Sequence, residues 1–414
     1  MTDAPPRPLW RGRALALTGI ILVAFSLRSA VASLSPILAE VEGAFPLPTW
    51  VVGLIGAAPP VCFAVFGIAT PALERRFGLE RLAAASMAVA GVAMIARALS
   101  GDALALLALT VVLFSAVGVG NVVLPPLIKK HFPDRVGSMT ALYSALLAVA
   151  AFVPPLVAVP VADAAGWRLS LGAWAVFAVA AVVPWALQAA GERRAAVGAG
   201  SAGEVDDEPA PRVLRRLPRI PLAWALGLTF GVSAACVYAC FAWLPTVLVD
   251  LAGVSHADAG ALLSLFGAMG LPLSLLVPAV IARGGRTTAI YAVALIAGLG
   301  AVAGLLSAPH AATVVWVVLL GIPQGLFPAA LVLIQRRTRT HEGAVALSSF
   351  VQSAGYAFAA LFTLVFGLIH EATGGWRTSV ALMGALFLLM APAAVIVART
   401  HALEDEWQKR HGPW

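Results

Sequence analysis

The sequence predicts an all-α polytopic membrane protein with twelve transmembrane helices in two pseudo-symmetric six-helix bundles. Three observations carry this. Of 414 residues, 61% are hydrophobic and only 11% charged, which is too little polar surface for a soluble domain. Apolar stretches of about 20 residues, the length needed to cross a bilayer, recur twelve times along the chain. The same landmarks also recur in the same order in its two halves.

Breaks at charged or Pro/Gly-rich points place spans 1–6 near residues 14–39, 49–71, 81–99, 103–129, 137–161 and 167–189. Spans 7–12 follow near 220–248, 257–281, 287–307, 312–335, 342–368 and 376–399. The expected organisation is an N-terminal bundle over 1–190, a charged flexible linker over 191–218, a C-terminal bundle over 219–400 and a tail over 401–414. The linker joins Gly-Ala-Gly-Ser-Ala-Gly to Glu204-Val-Asp-Asp-Glu208 and to Arg212, Arg215 and Arg216, a composition that solvates and does not pack. The segment Met1 to Arg13 runs straight into span 1 without a small-residue cleavage site, which predicts a retained first helix and not a signal peptide.

The internal repeat is legible in four places. Gly166-Trp167-Arg168 opens span 6 and Gly375-Trp376-Arg377 opens span 12, and the same displacement carries Pro36 onto Pro245. Gly118, Asn121 and Pro125 of span 4 match Gly321, Gln324 and Pro328 of span 10. A parallel repeat of six spans with a site between its halves near mid-membrane is a transporter architecture.

Orientation follows from the basic residues. With the N-terminus inside, one face collects Arg7, Arg11, Arg13, Arg75, Arg76, Arg81, Lys129, Lys130, Arg135, the linker arginines and the basic residues after spans 8, 10 and 12. The other keeps little beyond Arg97, Arg168 and Arg377. This asymmetry puts both termini in the cytoplasm, as expected of a bacterial inner (plasma) membrane protein. It also accounts for the net charge of +7 without nucleic acid as a partner. Trp50, Trp167 and Trp376 at outer ends, and Trp185 and Trp224 at inner ones, fit aromatic belts at the bilayer surfaces.

Arg28 is the strongest lead to function. It sits about halfway along span 1, where a charge costs roughly 3 kcal/mol or more unless it is paired. No Asp or Glu lies near the middle of any span. A guanidinium is a permanent charge with a rigid fork of donors suited to a carboxylate or another small planar anion. Ser35, seven residues on, falls on nearly the same helical face. The alternative for Arg28 is a structural arginine satisfied by carbonyls at a broken helix or by a distant acid brought near. Asn121 and Gln324 sit beside glycine and ahead of proline, where an amide can bond either solute or a neighbouring helix. Ser348, Ser349, Gln352 and Tyr356 form a polar strip on span 11. Tyr238 and Phe241 offer aromatic walls on span 7, with Trp243 nearer its outer end as a belt or gate residue. Tyr143 of span 5 is a further cavity candidate. Arg168, Arg377 and Arg97 lie at outer ends, where anchoring competes with attraction of anions.

The chain resembles the major facilitator superfamily, and within it the cyanate permease and nitroimidazole transporter family. The residues that carry the resemblance are Ser26-Leu27-Arg28 with Ser35-Pro36, Gly118-Val-Gly-Asn-Val-Val-Leu-Pro125 and Ile128-Lys-Lys-His-Phe-Pro-Asp-Arg135. The two Gly-Trp-Arg triplets and Ala242-Trp-Leu-Pro245 add to them. The resemblance implies alternating access by two rocking lobes, with spans 1, 4, 7 and 10 lining a central path. That favours Arg28, Asn121, Tyr238 and Gln324. One superfamily pattern departs here. The loop after span 2, aligned on Gly78, holds Arg75 then Arg76 where an aspartate then an arginine are usual, so a conformational latch would fall to Glu74.

Other functions find no support. Cys62, Cys236 and Cys240 all fall inside spans as packing residues, no metal or other cofactor is implied, and none of the seven histidines is central in a span. No His-Glu-x-x-His, Gly-x-Ser-x-Gly or Gly-Lys-Ser/Thr signature occurs, which argues against an enzyme or an energised pump. The expected function is movement of a small solute, a small anion such as cyanate or a carboxylate, by a protein that needs no partner beyond substrate and lipid and works as a monomer. The alternative is an exporter of neutral azoles or other drug-like compounds on the same fold. With no mid-span acid, transport is expected to run by facilitation or exchange, or with a proton carried on the solute. Uptake in proteoliposomes should therefore survive Glu40→Gln and Asp258→Asn. A pH-gradient drive abolished by either substitution would refute this.

Overall fold

Prolines and glycines set where these spans bend and how closely they approach. The computed structural model describes residues 13–196, 215–284, 287–398 and 402–411. Among them, twelve helices are long and apolar enough to cross a membrane. They are α1 (Ala14–Glu42), α2 (Thr49–Phe77), α3 (Leu79–Ala98), α4 (Ala103–His131), α5 (Val136–Ala165) and α6 (Trp167–Gly191). The second set is α7 (Pro221–Ala252), α8 (His256–Ile281), α9 (Thr287–Ser307), α10 (Thr313–Arg336), α11 (His341–Thr373) and α12 (Trp376–Ala398). A short helix follows, α13 (Leu403–His411). Each expected span is present within a few residues. Most of the expected linker, 197–214, lies outside the described residues.

The chain forms two compact units, Met1–Leu47 with Val65–Glu204, and Pro48–Ala64 with Val205–Trp414. The first half of α2 thus belongs with the second unit. Five spans are interrupted, two of them only by a short turn, at Ala173–Trp174 in α6 and at Leu389 in α12. After Ala32, α1 passes into a 3-10 turn, Ser35–Ile37, with Pro36 inside it. In α8 the register shifts at Met269, and α10 contains a 3-10 turn over Ile322–Gly325 that includes Pro323. By contrast Pro125 and Pro126 of α4 lie within continuous helix. A proline removes one ladder bond without always breaking a helix that tertiary packing holds.

The repeated Gly-Trp-Arg corners differ in detail. Gly166 ends α5 at φ 86, which glycine adopts at no steric cost, and Trp167 begins α6. In the second copy it is Gly374 that takes positive φ (66), and Gly375 is extended. Both tryptophans are buried, at 8% and 3% exposure, and Trp185 is fully buried. These three are therefore packing residues and not belts; Trp50 and Trp224 are exposed as belts require. The Trp376 indole donates to Asp250 Oδ2 (2.8 Å) and stacks on His370 (centroids 3.7 Å apart), tying α7, α11 and α12 together.

In the second unit α7 and α11 pack along their length around a glycine crossing. A Cβ on Gly355 would stand 2.5 Å from the Phe230 ring and 3.1 Å from the Gly231 nitrogen. Small residues at such points let backbones meet in a membrane, where packing drives helix association.

Within the expected tail, Leu403–His411 forms the short helix α13. Glu404 Oε1 in α13 accepts bonds from the Arg339 and Thr340 nitrogens and from Thr340 Oγ1 (3.0, 3.1 and 3.0 Å). Thr340 Oγ1 accepts from Gly343 N, the usual N-cap bond, at the start of α11. Arg339 pairs with Asp405 (2.9 Å), Leu403 N donates to the Arg337 carbonyl, and the Arg216 guanidinium lies over the Trp407 ring. Leu403, Glu404 and Trp407 are buried.

Gly355→Val should overpack the α7–α11 crossing at a cost of about 1–3 kcal/mol, lowering the melting temperature in detergent. Gly67→Ala, where a Cβ meets nothing within 4 Å, should leave that temperature unchanged or raise it. Glu404→Ala should remove about 1–2 kcal/mol of capping, seen as faster amide exchange confined to α13 and the first turn of α11.

Candidate functional site

The first unit brings its polar candidates to one level. A Cβ on Gly120 of α4 would lie 2.9 Å from the Leu27 side chain of α1, so the two helices approach closely there. Arg28 and Asn121, the next residues along each chain, are both half-buried at that level. Tyr143 lies on α5, which packs against α1. Arg28, Asn121 and Tyr143 thus offer a guanidinium, an amide and a phenol from three helices of one unit. All three can donate to an oxygen-bearing solute.

Ser35 does not join them by helical periodicity. The α-helix ends at Ala32, so a seven-residue spacing across the break no longer specifies a face. Its hydroxyl is buried and, among the described residues, makes no hydrogen bond, as is also true of Ser33. Arg97 lies at the outer end of α3, as expected, and is 1% exposed. Its Nη2 donates to the Ala30 carbonyl in the last turn before the break in α1 (3.4 Å). Arg377 has the anchoring role, donating to the Leu306 carbonyl at the end of α9 (2.8 Å), and Arg168 lies over the Trp167 ring.

In the second unit the aromatic candidates do meet. Tyr238 and Tyr356 have ring centroids 6.3 Å apart, and Phe63 of the α2 half in this unit lies 6.2 Å from the first and 5.8 Å from the second. Phe230 stands edge-on to Tyr356 at 4.9 Å. This follows from the glycine crossing, since Phe230 and Tyr356 are the neighbours of Gly231 and Gly355. Phe63 was missed by sequence reasoning because an isolated phenylalanine in an apolar run carries no signal. Phe241 packs edge-on to Phe266 at 6.0 Å.

Two candidates are spent on structure. The Gln324 amide nitrogen donates to the Phe266 carbonyl (2.7 Å), and the Gln324 carbonyl accepts from Ser233 (3.2 Å), so this residue binds the bent α10 to α8 and α7. Trp243 is 3% exposed and donates from its indole to the Thr363 carbonyl (3.2 Å). A Cβ on Gly367 would stand 2.3 Å from its ring, so Trp243 is wedged between α7 and α11 and is not a belt residue. On α11, Gln352 donates to Ser348 (2.8 Å) and Ser349 is exposed.

At the charged ends of the spans, Glu74 is half-buried in the last turns of α2, Arg75 and Arg76 are exposed, and Gly78 ends the helix at φ 83. The buried acid here is Glu80, with 2% of its side chain exposed, at 2.7 Å from Lys130 Nζ and 3.0 Å from His131 Nε2. Sequence reasoning passed over it because a glutamate in a first helical turn ordinarily just complements the helix dipole. Nearby, the Arg13 guanidinium bonded to Asp134 holds that carboxyl below the usual carboxylate range. Among the described residues no cluster of His, Cys, Asp and Glu could hold a metal ion.

The sequence profile of the Major Facilitator Superfamily matches residues 17–360. The chain is 33% identical over 389 residues to the 2-nitroimidazole transporter of Escherichia coli (strain K12), covering 92% of this chain and 94% of that protein. To the cyanate transport protein CynX of the same organism it is 26% identical over 362 residues, covering 86% and 90%. Among solved structures it is similar to a bacterial homolog of the human lysosomal transporter Spinster. The inward-facing occupied form matches with a TM-score of 0.73 at 14% identity and the unoccupied form with 0.71 at 16%, each covering 97% of this chain and 99% of that one. At those identities the likeness establishes the fold alone. With twelve membrane-spanning helices, a profile match over most of its length and relatives that are named transporters, the chain belongs to the Major Facilitator Superfamily and is a membrane transporter, not an enzyme.

Proposed function

We propose that this protein is a secondary transporter of a small planar anion, such as cyanate or a small carboxylate, working by alternating access with Arg28 as the anion anchor. The observation that supports this most directly is the close approach of α1 and α4 at Leu27 and Gly120, which brings Arg28 and Asn121 to one level of the first unit, with Tyr143 on the neighbouring α5. The middle of every span is free of acidic residues. A permanent positive charge with two neutral donors beside it favours a solute carrying negative charge on oxygen or nitrogen. A hydrophobic cation would be repelled there. The similarity to the cyanate transport protein supports the same solute class. The basic residues favour a bacterial inner membrane with both termini in the cytoplasm, and Glu74 is the candidate for the latch after α2.

A second reading has its own support. The rings of Phe63, Tyr238 and Tyr356 gather edge-on in the second unit, an aromatic setting suited to a heteroaromatic solute, and the 33% relative is a 2-nitroimidazole transporter. On this reading the protein exports neutral azoles or similar compounds.

Counterflow in proteoliposomes with labelled cyanate, small carboxylates and neutral azoles separates the two. Wild type should exchange one or more anions. Arg28→Ala should weaken that exchange roughly tenfold to hundredfold, as expected for hydrogen bonds to a charged group, while the protein stays folded. Equal transport of the same solutes by the variant would make Arg28 structural and favour the exporter.

A further inference from the structure

Arg97 is among the largest fully buried side chains of the protein. Among the described residues it makes no ion pair, and its one hydrogen bond is the 3.4 Å contact to the Ala30 carbonyl; Nε is buried without a partner. Arginine does not shed its proton in proteins, so a full positive charge is fixed inside the first unit. The carbonyl end of a helix supplies at most about half a unit of opposite charge. Net positive charge therefore remains beside Ala30, in the last turn before the break in α1 and two residues from Arg28. The internal repeat has no counterpart to either cation, since the displacement relating the two halves puts Val237 on Arg28 and Leu306 on Arg97.

We propose that Arg97 is a specificity-determining residue that sets the preference for anions through its field, without touching the solute. Arg28 binds the anion, and Arg97 raises the local potential from the far side of the α1 backbone. The inference rests on the anion reading and adds to it a second cation outside the contact set. Residues 28 and 30 point to roughly opposite sides of a helix about 10 Å across, which sets an anion held by Arg28 on the order of 10 Å from an Arg97 guanidinium at the Ala30 carbonyl. At an effective dielectric of about 20, removing a unit charge at that distance weakens anion binding about tenfold. A neutral solute of the same shape feels no such change. The Ala30 carbonyl contact makes the packing role of Arg97 separable, because glutamine can keep the hydrogen bond and lacks the charge.

The test uses the full chain in proteoliposomes and compares half-saturation for cyanate with that for an N-methylated 2-nitroimidazole, which cannot ionise by losing a ring proton. Arg97→Gln should raise the cyanate value about tenfold and leave the neutral value as in wild type. Arg97→Lys should keep the wild-type preference at low pH and lose it as pH rises, because burial lowers the pKa of a lysine; wild type should show no such loss. Equal shifts for both solutes in Arg97→Gln, or a pH-independent Arg97→Lys, would overturn the proposal and leave Arg97 as packing. If Arg97→Gln does not fold, the pH profile of Arg97→Lys decides alone. If wild type carries no anion at all, the anion reading fails first and this inference falls with it. If wild type carries cyanate and Arg97→Gln carries it with unchanged half-saturation, only the inference fails.

Discussion

Everything in this structure answers to the absence of water inside the membrane. A polar group there must find its partner within the protein, and the fold shows how each departure from plain helix is met. Where α10 bends at Ile322–Gly325, the Gln324 amide crosses to the Phe266 carbonyl and Ser233 reaches the Gln324 carbonyl. Where α1 breaks after Ala32, Arg97 comes to the carbonyl end. Where α9 ends, Arg377 takes the Leu306 carbonyl. Polar side chains in the spans are first of all repairs to the backbone.

That constraint also explains what was legible in the sequence. Length and apolarity located all twelve spans, because a bilayer imposes both. The repeat landmarks held, with Trp167 and Trp376 opening equivalent helices. Side-chain partners across the bundle were not legible. Gln324 and Asn121 look alike in sequence, each after a glycine and before a proline, yet only the first has its amide committed to a neighbouring helix that is itself interrupted. Trp243, Trp167 and Trp376 had the positions of belt residues, but burial depends on which neighbouring helices carry glycine opposite them, as Gly367 does for Trp243. Ser35 was misplaced because periodicity holds only while the helix does. Glu80 and Glu404 escaped notice because both bond to segments far away in the chain.

The two units share a plan but have divided its chemistry. Arg28, Asn121, Tyr143 and the buried Arg97 belong to the first. The second holds the aromatic group around Tyr238 and Tyr356, and its own interior spans carry no cation at the repeat-equivalent positions. Duplication supplies two copies of a six-helix scaffold, and divergence can then load one with charge and the other with rings. Symmetry of backbone is thus a poor guide to symmetry of solute contacts.

The bond network around Glu404 also bears on how the chain is made. The start of α11 receives its acceptor from a residue more than sixty positions later, after the last span has been threaded. During synthesis α11 must enter the bilayer with its first amides still open to water, and its cap is completed only once Glu404 has been made. Any change that displaces Glu404 therefore reaches the start of α11, although α13 itself lies outside every membrane span.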